Sequence, residues 1–120
     1  VSGLAPEALA AGTGADAATL PLAHAALPAD EVLEGSPTTA VHALATVGGV
    51  EVGIWEMTPG TASDTETDEV FVVLSGRATI AFDDPSLLDL EVGPGSVVRL
   101  GEGQRTVWTV TETLRKVYIA

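Results

Sequence analysis

The sequence predicts an all-β fold, a jelly-roll β-barrel preceded by an N-terminal extended arm. From Thr39 onward, short apolar runs alternate with turn residues at the spacing of antiparallel strands. The turns carry suitable chemistry: Gly48-Gly49, Pro59-Gly60, Ser75-Gly76, Asp83-Asp84-Pro85 and Gly93-Pro94-Gly95 supply left-handed backbone at glycine or a fixed φ at proline. Composition agrees, since 120 residues with 46% hydrophobic and 18% charged side chains suffice for one core and are too few for two.

Residues 1–38 differ in kind, combining Ala, Pro and Gly with little periodicity, and form the arm; residues 39–120 form the barrel. A short helical turn is expected from Pro6 to Ala11, between a proline near its start and Gly12 at its end. The rest of the arm is too apolar to stand in water. It must lie along a sheet edge or cross to a second subunit, and the second alternative gives the expectation of a homodimer. In the barrel, strands are expected over 39–47, 50–58, 69–74, 77–82, 87–92, 96–100, 104–111 and 114–119. Eight strands suit a jelly roll.

The formal charge is −12, and every basic residue (Arg77, Arg99, Arg105, Arg115 and Lys116) follows Gly76. Such a field repels phosphate backbones and anionic lipids, so neither nucleic acid nor a membrane is an expected partner. The alanine-rich start lacks a basic region and is broken by Pro6, Gly12, Gly14 and Pro21, which does not suit a signal peptide. No apolar run of about 18 residues follows. A cytoplasmic protein is the expectation. Cysteine is absent, which removes disulfides and thiolate metal sites.

The most informative stretch is Pro59 to Gly76, PGTASDTETDEVFVVLSG. Its strand EVFVVL is apolar on both faces and must be covered inside and outside the barrel. Glu69 opens that strand and shares a face with Phe71 and Val73 by period-two alternation. Its carboxylate either points into a cavity or caps the strand at the solvent.

Glu69 and Gly76 have the spacing of the glutamate and glycine in the first motif of the cupins, and the chain resembles that family. Gly95 and Gly103 match the second motif, with Gly101 in the proline's place and Thr106 in that of the third histidine. The segments GIWEMTPG and TVWTVTETLRKVYIA look like the branch of ureidoglycine aminohydrolase-like and ethanolamine-utilisation-like cupins, through Trp55, Thr58-Pro59-Gly60, Asp68-Glu69, Trp108 and Arg115-Lys116 before Tyr118. The resemblance implies a cupin jelly roll and says little about activity, because one barrel hosts many chemistries.

The usual cupin ligands, three histidines and a glutamate, are missing apart from Glu69. Two registers of the first motif are open. One puts Ala62 and Asp64 in the histidine places, the other Ser63 and Thr65. A transition metal prefers imidazole or thiolate donors, so no metal and no cofactor is expected. A harder ion on Asp64, Glu66, Asp68 and Glu69 is the alternative.

His24 and His42 occupy no motif position and are expected to be structural. Trp55 is expected in the core, and Trp108, on the same face as Thr106, forms either a pocket wall or a plug. Arg115 and Lys116 lie on opposite faces of the last strand, so at most one reaches the interior and the other is a surface charge. Tyr118 shares a face with Lys116, either beside Glu69 or toward solvent. A serine-hydrolase triad is excluded for want of a histidine base.

Three readings follow. The first is metal-independent binding of a small polar molecule, with Glu69 as catalytic acid or base and Asp64, Thr106, Trp108 and Tyr118 as ligand contacts. The second is a non-catalytic, dimeric interaction module whose barrel is plugged by Phe71 and Trp108. The third is an enzyme with an all-oxygen metal site. An open cavity at Glu69 favours the first, and a filled barrel the second.

Overall fold

The computed structural model describes residues 9–120, and no helix occurs among them. Nine strands follow in chain order: β1 (Ala25–Ala26), β2 (Val32–Glu34), β3 (Thr38–Val47), β4 (Val50–Met57), β5 (Gly60–Thr65), β6 (Glu69–Phe82), β7 (Leu90–Val92), β8 (Val97–Leu100) and β9 (Arg105–Ile119). The hydrogen-bonded order is β1-β3-β4-β9-β5-β2, while β6 pairs with β7, β8 and β9. All pairings are antiparallel, and the sheet curls on itself as a half-barrel.

β9 is the axis of this arrangement. Its first half pairs with β5 and its second half with β4, and β6 runs along its other edge. Two neighbours in succession on one edge force the sheet to bend. Its even-numbered residues apart from the exposed Glu112, that is Thr106, Trp108, Val110, Leu114, Lys116 and Tyr118, are buried and face the interior. Phe71, Ile80, Leu100 and Leu114, each with essentially no exposure, fill the apolar part of the barrel.

The strands expected at 69–74 and 77–82 are one strand, β6, and those expected at 104–111 and 114–119 are one strand, β9. The glycine at 76 does not reverse the chain. It sits at φ 91° within register shifts between Val73 and Ala78, and a Cβ there would strike the Thr113 carbonyl. A left-handed glycine serves a bulge as well as a turn, and sequence alone does not separate the two. β5, GTASDT, was not expected as a strand because its composition is that of a loop. It forms because β9 and β2 pair with its two edges. The strand expected at 87–92 shrinks to β7, leaving Leu88 exposed.

The described part of the arm lies against its own barrel. β1 pairs with the start of β3, and β2 with β5. The first half of the helical turn expected from Pro6 to Ala11 lies outside the described residues; the described half is not helical, and Ala11 and Gly12 form a turn closed by Thr13 bonding back to the Ala10 carbonyl. Arg115, expected as a surface charge if Lys116 faced inward, is buried as well. It points outward and lies beneath the arm, where Nη1 donates to the carbonyls of Ala17 and Leu20, both at 2.9 Å, and Nε donates to Glu56 at 2.7 Å. Strand alternation defines two faces and cannot say that the outer one is roofed.

Candidate functional site

A cavity of about 450 Å³ opens into the barrel between the ends of β3, β4, β5 and β9. β5 and β9 set its polar wall. Their register places Ala62 opposite Trp108 and Asp64 opposite Thr106. Ala62 is buried against Trp108, so the face carrying Ala62 and Asp64 looks inward and the face carrying Ser63 and Thr65 does not. Asp64 stands at the cavity rim, open to water on one side.

Glu69 turns inward, and its Oε2 accepts a hydrogen bond from Lys116 Nζ at 2.8 Å. The ammonium lies 4.6, 4.1 and 4.8 Å from the ring centroids of Trp55, Phe71 and Trp108. Three π faces and one carboxylate thus surround one cation, an arrangement that offsets much of the cost of its burial. Burial nonetheless pushes the Lys116 pKa below its ordinary value, against the pull of Glu69. Trp55 is not simply core: it lines the cavity and packs against Trp108 with centroids 5.5 Å apart.

Thr106 and Trp108 converge on Glu66. The Thr106 hydroxyl donates to Glu66 Oε2 at 2.6 Å, and Trp108 Nε1 donates to the same oxygen at 3.0 Å. Glu66 is 6% exposed, and its backbone is fixed by bonds with Gln104 and Gly103. Named in the sequence only as a donor to a hard metal ion, Glu66 continues the inward series Ala62, Asp64, Glu66 just beyond the end of β5. Tyr118 donates from its hydroxyl to Glu51 at 2.6 Å. Burial and then that bond push the phenol pKa well above its usual value, so Tyr118 remains a protonated donor. Its ring lies over Gly53, its partner across β4 and β9, where any Cβ would collide with it.

Partial enclosure, followed by the charge of Glu66 and then, against a backbone bond from Thr65, that of Glu31, raises the Asp64 pKa to about 6. The residues expected to act together therefore share one cavity, but in two clusters. Glu69 belongs with Lys116, and Thr106 and Trp108 belong with Glu66. His24 lies outside, bonded to Glu56 at 2.7 Å and to Thr38 at 2.9 Å, and His42 lies elsewhere on β3.

The model of the EutQ-like cupin domain family matches residues 44–118 of this chain. The chain belongs to the EutQ-like cupins. Solved structures agree on the cupin jelly-roll β-barrel. The Clostridium difficile EutQ protein is 21% identical with a TM-score of 0.59, over 69% of this chain and 67% of its own. A putative ethanolamine utilization protein Q from Salmonella typhimurium is 15% identical with a TM-score of 0.59, over 85% of this chain and 96% of its own. A Pseudomonas syringae pv. tomato protein of unknown function is 24% identical with a TM-score of 0.71, over 87% of this chain and 45% of that longer one. At these identities the likeness concerns fold. No curated protein matches the chain.

This EutQ-like cupin does not fit the metal that the wider cupin family suggests. The inward motif positions hold Ala62, Asp64 and Thr106, none an imidazole, and Glu69 is bonded to an ammonium at 2.8 Å. Among the described residues no three His, Cys, Asp or Glu side chains are grouped to hold an ion. The donor set suits a lysine's charge in place of a metal's.

Proposed function

We propose that the barrel binds a small polar molecule without a histidine-ligated metal. One observation carries this reading: a cavity of about 450 Å³ reaches from solvent to the buried Lys116, to the mostly covered Glu69 bonded to it, and to the buried Glu66. An apolar core has no use for two buried carboxylates and an ammonium beside open space, because each is costly to bury. The volume lies within the range of small-molecule pockets. Trp55 and Trp108 form the wall, Asp64 the rim, and Tyr118 and Lys116 are donors. Glu69 is the candidate acid or base, since it is the carboxylate that lines the cavity beside Lys116, at 2.8 Å from its ammonium.

The test is a thermal-shift screen of small amines, acids, amides and polyols against protein treated with a chelator. A hit should raise the melting temperature of the wild type and not that of Glu69→Gln, with the far-ultraviolet spectrum unchanged. A hit that stabilises both proteins equally removes Glu69 from the site. A hit that appears only when divalent metal is restored returns the all-oxygen metal reading. The open cavity speaks against a barrel plugged by Phe71 and Trp108, so an interaction module is the weaker reading.

A further inference from the structure

Resting on that reading, we propose that the ligand is a small organic ammonium, a compact apolar body carrying one amine, held by Asp64 and Glu66 with the charge of Glu31 nearby. The cavity lining contains five carboxylates, those of Glu31, Glu51, Asp64, Glu66 and Glu69, against the single ammonium of Lys116. Following each carboxylate to its partner shows where charge is left over. Glu69 takes Lys116. Glu51, at the outer margin, accepts the Tyr118 hydroxyl.

The other three have no cation bonded to them, although Lys116 acts on Glu66 and Asp64 through space. Glu66 is nine-tenths buried, yet its donors are a neutral hydroxyl and a neutral indole, both on Oε2, and among the described residues no protein donor reaches Oε1. Asp64 accepts only the backbone N–H of Thr65. The Glu31 side chain has no hydrogen bond among the described residues, although its carbonyl accepts the Ser63 N–H and so holds β5 in place. A buried carboxylate with a free oxygen facing a cavity ordinarily has a donor from water or ligand. Partial burial first, and then the repulsion of Glu66 and Glu31 against the weaker pull of Lys116, keep the Asp64 pKa raised, so added positive charge beside it would be welcome.

An anionic ligand has no place there. The one cation is already bonded to Glu69 and covered by three rings, and an added carboxylate would meet three more. A neutral ligand would leave the charge excess unrelieved. An ammonium supplies both the charge and the donors for Glu66 Oε1 and Asp64, while Leu27, Met57, Ala62 and the Trp55 ring offer apolar surface to its body. Lys116 repels a second cation, which directs the amine toward the Asp64 end of the cavity.

The experiment is titration calorimetry on the full chain with three probes of one skeleton: n-butylammonium, butanoate and butan-1-ol. At pH 8 the amine should bind and the other two should not. Its affinity should fall roughly fivefold at pH 5, as Asp64 takes up a proton against the facing charges of Glu66, Glu31, Glu69 and Lys116. Asp64→Asn should lose roughly fivefold at pH 8 and show a flat pH profile, and Glu31→Gln should lose about twofold. Binding of butanoate or butan-1-ol with the amine silent overturns the ligand class and leaves the pocket reading standing. Silence from all three at millimolar concentration overturns the ligand class, and the preceding screen then decides whether the pocket binds anything. Displacement of the amine by micromolar Mg²⁺ or Ca²⁺ also overturns it, in favour of an inorganic cation.

Discussion

Arg115 and Lys116 are consecutive on β9, both basic and both buried, yet one belongs to the scaffold and the other to the candidate site. Arg115 has its donors on Glu56 and on the carbonyls of Ala17 and Leu20, so the guanidinium is bonded into solid structure and holds the arm to the outer face. Lys116 has one bonded partner, three aromatic neighbours and a cavity. Burial of a charge is therefore a poor sign of function by itself. Open space beside the charge is what separates the two cases.

Breaking the outer cluster should have the largest effect. Arg115→Met strands Glu56 and two arm carbonyls, and chemical denaturation should show a loss of about 3 kcal/mol. Ligand binding, once a ligand is in hand, should change less than stability.

The inner pair is tested by a double-mutant cycle. Lys116→Met and Glu69→Gln should each destabilise by about 2 kcal/mol, and the double variant should recover 1 kcal/mol or more, about the coupling expected of contacting partners. Additive losses would mean that the two groups do not act as a pair.

A pH titration distinguishes the two sides by sign. The Asp64 pKa is raised in the folded state, so its ionisation opposes folding above about pH 6, and that cost is relieved as the pH falls toward the unfolded value of about 4. For Glu56, burial is the largest single influence and pushes the pKa up. The bonds from Arg115 and His24 outweigh it together, and the carboxyl sits below its usual range. Its stabilisation is present above the unfolded value near 4.5 and is lost as the pH falls through the folded one. The Asp64→Asn variant should accordingly be more stable than wild type at pH 7.5, by less than about 1 kcal/mol given solvent screening at the rim, and equal to it near pH 4.

The smallest effect belongs to His42, whose side chain has no hydrogen bond among the described residues. His42→Ala should change stability by about 0.5 kcal/mol or less and leave binding unaltered.

Much of the site was legible from alternation. Glu69 with Phe71 and Val73, Thr106 with Trp108, and Lys116 with Tyr118 keep the faces that their spacing assigns. Glu66 was legible in the same way, two residues beyond Asp64, but it stands past the last strand residue and among several carboxylates. What alternation could not show was partnership. Thr106 and Trp108 were expected beside Glu69, and they bond Glu66 because the turn from Gly101 to Gln104 grips the Glu66 backbone and aims its side chain inward.

The sequence alone determined the strand-rich class, the glycine and proline positions where the backbone can turn or bulge, and the loss of imidazoles from the motif. These are properties of single residues and short-range spacing, and they hold wherever the strands pair. Tertiary structure decided which carboxylate meets the ammonium, that the arm roofs Arg115, and that space remains beside Lys116. Those outcomes depend on register across β4, β5, β6 and β9 and on volume left unfilled, quantities that arise only when distant segments are brought together.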